Sequence, residues 1–274
     1  MTNACSFPAL SFYQPESLFT PQMKTEPKIP HILYFTHKDN LLEVKKPELH
    51  YKNVMKTINL YKAAWNDTDG SKTTVKFLVD NDCVNLIREA EPRLVPHFES
   101  EKQGMFKADI CRVAALWLTG GYYFDVDMET IKPMIYDNIP ECSFGTAYTP
   151  DKFDGFFQSF LVAAPRHPVI KKVMSVLLDN YENSKDKMLL GPKTMAAAYD
   201  ELHFDREEPF DVCLLEEGYL TTRHMERVFP LVPRPMGNRP MCNLGVYSRV
   251  HRDVFFYSRF VGSSWKCESN QTKT

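Results

Sequence analysis

The sequence has no apolar stretch long enough to cross a bilayer. Its longest candidate, Val113 to Phe124, falls short of the roughly 18–20 residues required and contains Gly120 and Gly121. None of its seven cysteines forms a C-x-x-C pair, so zinc-finger spacing and thioredoxin-like redox chemistry have no support. Neither charge is in excess: 33 Lys plus Arg stand against 35 Asp plus Glu, a formal charge of −2. A whole-protein field that gathers nucleic acid or an anionic membrane is therefore not expected, and no nucleic-acid partner is assigned. The first 28 residues lack the basic-then-apolar order of a signal peptide. An odd cysteine count without such a signal fits reduced thiols and a cytoplasmic setting. Against this, Asn66-Asp67-Thr68 and Asn270-Gln271-Thr272 match the N-glycosylation pattern. The alternative is a lumenal Golgi-type catalytic domain without its anchor.

What is present is enough for one sizeable core: 274 residues, 31.8 kDa, 43% apolar and 25% charged. Residues 1–28, with Pro8, Pro15, Pro21 and Pro27 and no sustained period, read as an extended arm. From Ile29 the pattern becomes regular. Ile29 to Phe35 suits a buried strand, and Val54, Ile58, Tyr61 and Trp65 recur at helical spacing. Val75 to Val79 reads as a strand and Cys83 to Ala90 as a short helix ended before Pro92. Phe106, Ile110, Val113, Ala114 and Trp117 form a helical stripe stopped by Gly120-Gly121, and a strand follows over Tyr122 to Met128. Farther on, the pattern gives a strand at Gln158–Ala163 and helices at Val169–Tyr181 and Lys193–Leu202. Short strands follow near Val212–Leu215 and Val228–Val232. Strand, helix, strand, helix, strand in that order predicts a single α/β domain with a mixed, mainly parallel sheet flanked by helices.

Three Asp-x-Asp patterns occur. Asp67-Thr68-Asp69-Gly70 is turn chemistry. Asp80-x-Asp82 ends a strand and suits a helix cap or a ligand contact. Asp125-x-Asp127 differs because Phe124, Val126 and Met128 surround it, and two buried carboxylates without a cation are costly. On a strand, residues two apart share a face, so both carboxylates converge as hard oxygen ligands suited to Mn²⁺ or Mg²⁺ shared with a phosphate-bearing substrate. The alternative is a strand-end pair held by backbone amides and a nearby Lys or Arg. Asp109 and Arg112, at i and i+3 of the preceding helix, share a face. They form either an ordinary intrahelical pair or, beside a carboxylate-lined site, a charge-assisted binder of sugar hydroxyls.

The run Phe106-Lys107-Ala108-Asp109-Ile110-Cys111-Arg112, followed by Gly120-Gly121-Tyr122-Tyr123-Phe124-Asp125-Val126-Asp127, resembles the sugar-binding region of DXD glycosyltransferases. It is most similar to glycosyltransferase family 32, and more distantly to the large clostridial glucosylating toxins. Ile29-Pro30-His31-Ile32, Trp65, Phe157 to Pro168, Gly191-Pro192 and Ser264-Trp265 fit the same pattern in order. The resemblance implies a GT-A fold over residues 29–265 with a flexible tail at 266–274. It also implies a retaining hexosyltransferase using Mn²⁺ (or Mg²⁺) and a UDP- or GDP-hexose, with a glycan, lipid or protein as acceptor. Carried over residue by residue, Asp125 and Asp127 would hold the metal, and Asp109 and Arg112 the donor sugar. Tyr123 would support the donor pocket, and Phe35 and Thr36 would meet the nucleotide base with Trp65 nearby. Gln158 would line the donor site, and Ser264 and Trp265 would close over the diphosphate. The chain departs from the pattern at Gln158 or Ser159, where the family has an Asn. It departs again near Arg259, where many members have a metal-completing His; the nearest upstream His is His251. These departures motivate the alternative of a nucleotide-sugar-binding or scaffold protein. A metal-dependent phosphoesterase would need a two-metal cluster that the sequence does not offer.

Overall fold

In a computed structural model, residues 29–136, 139, 142–149, 155–183, 190–204, 212–220, 243–248 and 253–258 are described. The arm at 1–28, the strand expected near Val228–Val232, His251, Arg259, Ser264, Trp265 and the tail at 266–274 lie outside them. In chain order the elements are β1 (Ile32–Thr36), α1 (Leu41–Val44), α2 (Glu48–Ala64), β2 (Thr74–Leu78) and α3 (Asp80–Ala90). There follow a 3₁₀ turn (Pro92–Leu94), α4 (Val95–Ser100), α5 (Gly104–Thr119), β3 (Gly121–Phe124) and β4 (Met128–Thr130). The chain continues through β5 (Phe144–Thr149), β6 (Gly155–Ala163), α6 (Pro168–Asn183) and α7 (Leu190–Phe204). It ends with β7 (Val212–Leu220), β8 (Asn243–Ser248) and β9 (Asp253–Ser258). The mixed α/β architecture matches the expectation from pattern.

The nine strands form one sheet in the order β2-β1-β3-β6-β5-β7-β8-β9-β4. Parallel pairing joins β2 to β1, β1 to β3 and β5 to β7, and the other five pairings are antiparallel. The parallel character expected from the strand–helix order is thus that of the N-terminal βαβ units. Beyond them the consecutive strands β5 and β6, β7 and β8, and β8 and β9 pair antiparallel, and β5 pairs parallel with β7. Only Asp125, Val126 and Asp127 separate β3, near one edge, from β4 at the opposite edge. The four Cα steps from Phe124 to Met128 span at most about 14 Å, so the sheet curls until its far edge returns beside β3. Phe256 of β9 accordingly packs against Phe124 and Phe160, with ring centroids at 6.0 and 4.6 Å.

Alternation along the strands creates two cores, one on each face. Tyr123, Leu161 and Ala163 point into a layer formed with α3, α5, α6 and α7. Tyr122, Phe124, Phe160 and Val162 point into one formed with α2 and β9. Helix α5 reaches β3 through Gly120 and Gly121, at φ 65° and 116°. A Cβ on Gly120 would sit 2.7 Å from the Ala163 carbonyl oxygen, and one on Gly121 2.7 Å from that of Ile32. The glycine pair therefore ends the helix in a conformation other residues disfavour and lets β3 slot between β1 and β6.

Disulfides join Cys83 to Cys111 and Cys142 to Cys213. This corrects the expectation of reduced thiols. Spacing could not reveal the pairs, because their partners lie 28 and 71 residues apart and meet only through tertiary packing.

Candidate active site

Strands β1, β2 and β3 all run the same way, so Thr36, Leu78 and Phe124 finish together at one edge of the sheet. Asp125 follows β3 at that edge, where parallel α/β sheets open toward ligands. Asp125, Val126 and Asp127 form a turn rather than the strand continuation that the sequence suggests. The Asp125 amide still bonds the Ser159 carbonyl (2.9 Å), and the Met128 amide turns back to the Asp125 carbonyl (3.3 Å). The two carboxylates interact nevertheless. Burial, then the charge of Asp125, pushes the Asp127 carboxyl up to about 7.

Arg112 is the hub. Its side chain is almost fully buried, with Nη2 3.0 Å from Asp109 Oδ1 and Nη1 3.6 Å from Asp125 Oδ1. Nη1 also donates to the Gln158 carbonyl and Nε to the Ala108 carbonyl, and the guanidinium lies 4.7 Å from the centroid of the Tyr123 ring. Burial alone would lower the Arg112 pKa, but Asp125, Asp109 and Asp127 raise it above its ordinary value. The Tyr123 hydroxyl donates to Asp125 Oδ1 (2.6 Å) and meets Thr36 Oγ1 at 2.8 Å. With the phenol proton directed at Asp125, Thr36 is the donor to Tyr123. Burial raises the Tyr123 pKa, so the phenol stays a donor. Burial also pushes the Asp109 carboxyl up to about 6, opposed by Arg112 and reinforced by Asp125.

Asp109, Arg112, Tyr123, Asp125 and Thr36 thus form one connected network, with Asp127 coupled to it. Gln158 joins by its backbone carbonyl, while its side-chain amide donates to Met195 Sδ at 3.3 Å. Two other expectations do not meet this cluster. Phe35 is buried in the core, stacked with Phe77 and Phe124, because its side chain alternates away from Thr36. Trp65 stacks on His31 at 4.1 Å, before the start of β1. It is therefore at the opposite end of a five-residue strand from Thr36, about 16 Å away. Ser264, Trp265 and Arg259 lie outside the described residues. Asp67 caps its own loop by accepting from the Lys72 and Thr73 amides, the turn role expected of it. Asp82 accepts from the Val79 amide at the start of α3, and Asp80 pairs with Lys107 at 2.5 Å.

Sequence reasoning missed the support that α2 gives the carboxylate turn. Asn53 Nδ2 donates to the Val126 carbonyl (3.4 Å), Lys56 pairs with Glu129 (3.0 Å), Thr57 meets Thr130 (2.6 Å) and the Tyr61 hydroxyl donates to the Met134 carbonyl (3.2 Å). Each pair is 73 residues apart, so one face of α2 tracks the chain from 126 to 134 step for step. The polar residues Asn53 and Thr57 on an otherwise buried helical face were the available signal.

The metal that the sequence pattern implies can be tested against these groups. Asp127 is partly buried beside a second carboxylate; burial and then the charge of Asp125 raise its pKa, the direction that an adjacent divalent cation would reverse. Among the described residues no group of three or more His, Cys, Asp or Glu gathers to hold an ion. A pair of carboxylates nevertheless suits Mg²⁺ or Mn²⁺, which take one or two protein carboxylates and complete their shell with water and substrate phosphate.

Residues 23–144, which contain the whole network except Gln158, match the family described as "Glycosyltransferase sugar-binding region containing DXD motif". No curated protein sequence matches the chain. Among solved structures, the chain is similar to the PaToxG glycosyltransferase at 17% identity, covering 65% of this chain and 72% of that one, with a TM-score of 0.46. It is similar to mouse xyloside xylosyltransferase 1 at 13% identity, over 77% and 96% of the two chains, with a TM-score of 0.40. It is also similar to the UDP-bound glycosyltransferase domain of the YGT toxin at 11% identity, over 56% and 44%, with a TM-score of 0.29.

Proposed function

We propose that the chain is a metal-dependent, retaining glycosyltransferase of the GT-A type, akin to family 32, that moves a hexose from a UDP- or GDP-sugar to a glycan, lipid or protein acceptor. The observation that carries this reading is the buried Asp109–Arg112–Asp125–Tyr123 network beside Asp127, inside the region that matches DXD sugar-binding sequences. Asp125 and Asp127 hold the cation. Manganese or magnesium, when bound, neutralises charge on the leaving diphosphate. Tyr123 and Arg112 fix Asp125 so that the pair need not reorganise when phosphate arrives. Asp109, oriented by Arg112, accepts hydrogen bonds from hydroxyls of the donor sugar. Thr36, at the end of β1, borders the nucleotide side of the site. In the transfer, the bond from the anomeric carbon to the phosphate oxygen breaks and a bond from that carbon to the acceptor oxygen forms on the same face. The acceptor proton passes to the departing phosphate.

The two disulfides favour the alternative setting weighed from the sequence, an oxidising compartment such as a secretory lumen. Among the described residues no helix is long and apolar enough to cross a membrane. Arg259, standing where the resembled family has a metal-completing His, favours a second reading in which the chain binds nucleotide sugar without transferring it. Hydrolysis of one donor in the presence of Mn²⁺, absent in Asp125→Ala, supports transfer chemistry. Metal-dependent binding of every donor without turnover, in the presence of an acceptor panel, contradicts it in favour of the second reading.

A further inference from the structure

The first turn of α7 packs directly on the carboxylate of Asp109. A Cβ placed on Gly191 would lie 2.7 Å from Oδ2, 2.8 Å from Oδ1 and 2.9 Å from Cγ of that one side chain, closer than real Cβ atoms come. The turn is closely fitted on its other sides too. A Cβ on Gly155, the first residue of β6, would meet the Pro192 carbonyl oxygen at 3.0 Å. Asn180 of α6 donates to Thr194 Oγ1 at 2.9 Å, and Gln158 of β6 donates to Met195 Sδ at 3.3 Å. Thr194 and Met195 are buried. Both partners are held in place: α7 by α6 and β6, and Asp109 by burial and by the pairing of Oδ1 with Arg112 at 3.0 Å.

Gly191 is not in the left-handed region of backbone space, so its value here is its lack of a side chain rather than its conformational freedom. Alanine would fit the local helix, and helix propensity favours it. The three atoms nearest to such a Cβ all belong to Asp109, so it is that carboxylate that first opposes the exchange. We propose that Gly191 is a positioning residue for the donor-sugar subsite, seating α7 on Asp109 and fixing the orientation in which that carboxylate pairs with Arg112 and faces the sugar. This inference rests on the glycosyltransferase reading given above.

The test compares wild type, Gly191→Ala, Asp109→Ala and the double variant. Calorimetric titrations with Mn²⁺ use UDP, UDP-glucose, UDP-galactose, UDP-N-acetylglucosamine, GDP and GDP-mannose, beside thermal melts. The readout is the affinity for the preferred nucleotide sugar relative to its nucleoside diphosphate. Gly191→Ala is expected to lower that ratio about tenfold or more while leaving diphosphate affinity unchanged, since misplacement by a fraction of an ångström is enough. In the Asp109→Ala background the same exchange is expected to change nothing further, because the collision partner is gone. An unchanged ratio in Gly191→Ala, or an equal drop in both backgrounds, would overturn the proposal. If Gly191→Ala fails to fold and the double variant folds, the clash with Asp109 is established. If both fail to fold, the space at 191 serves the backbone and the proposal falls. Failure of wild type to bind any diphosphate or nucleotide sugar would instead sink the glycosyltransferase reading, and this inference with it.

Discussion

Three negative groups and one cation share the buried end of this site, and the way they share it determines how single substitutions behave. Tyr123 is the joint between strands, since its hydroxyl ties Asp125 to Thr36. Tyr123→Phe is expected to cost about 1–2 kcal/mol of stability through the lost hydrogen bonds. It should also lower donor turnover about tenfold, measured as sugar release beside urea denaturation, because Asp125 loses a fixed donor. Asp109 makes a pH prediction. Its carboxyl stands at about 6 in the fold, above its ordinary 3.8. The fold therefore prefers the protonated form. The stability this contributes is complete below pH 3.8 and is lost as pH rises through 6. Asp109→Asn lacks the titration, so its stability relative to wild type should climb by about 2 kcal/mol between pH 4 and pH 7 in metal-free urea melts. A difference that stays flat across that range would mean that Arg112 fully compensates the buried charge.

At the scale of elements, α2 and the segment from 126 to 134 behave as a matched pair. Asn53→Ala removes a side-chain bond from α2 to the Val126 carbonyl within the Asp125–Asp127 turn. The Mn²⁺ concentration for half-maximal donor hydrolysis should rise about tenfold, as happens when groups supporting metal ligands are removed. An unchanged metal requirement would show that the turn holds its shape without α2. The disulfide between Cys83 and Cys111 ties α3 to α5, the helix that presents Asp109 and Arg112. A loop of this length is worth about 3–4 kcal/mol on chain-entropy grounds, so Cys83→Ala/Cys111→Ala should lose that much in urea. In the unreduced, denatured protein, at least four of the seven cysteines should resist alkylation until a reductant is added.

These elements also show what a single sequence can and cannot display. Helices α2, α5, α6 and α7 and strands β1, β2, β3 and β6 were legible because each carries its own apolar period and its own stop signal, such as Gly120-Gly121 after α5. Strand β5, helix α4 and the β8–β9 hairpin were not, since short segments with a Pro or an irregular register leave too few residues for a period to appear. At the site, the i, i+3 spacing placed Asp109 with Arg112, and the Asp-x-Asp spacing placed Asp125 with Asp127. The turn that breaks the strand there was hidden, because it is set by the Ser159 carbonyl and by the jump of the chain to the far edge. Trp65, expected near the nucleotide base from the resemblance alone, stacks instead on His31 at the end of β1 opposite Thr36.

For the molecule as a whole, the curled sheet brings an N-terminal βαβ unit and the C-terminal hairpin to the same turn. Phe124, Phe160 and Phe256 interlock across that closure. The carboxylates are therefore held between two parts of the chain that are remote in sequence, with one core behind each face of the sheet. Such a frame suits a site whose charges must stay fixed while a substrate bearing its own negative charge enters. Under the proposed function, the role of this frame is to present Asp125 and Asp127 to a metal-bound nucleotide sugar. It is tested most directly by sugar release from UDP-glucose, UDP-galactose, UDP-N-acetylglucosamine and GDP-mannose, with Mn²⁺ and with EDTA, for wild type and Asp127→Ala. Wild type with Mn²⁺ should hydrolyse one donor, and the rate should fall at least about a hundredfold with EDTA or in Asp127→Ala. Hydrolysis that proceeds equally well with EDTA and in Asp127→Ala would contradict it.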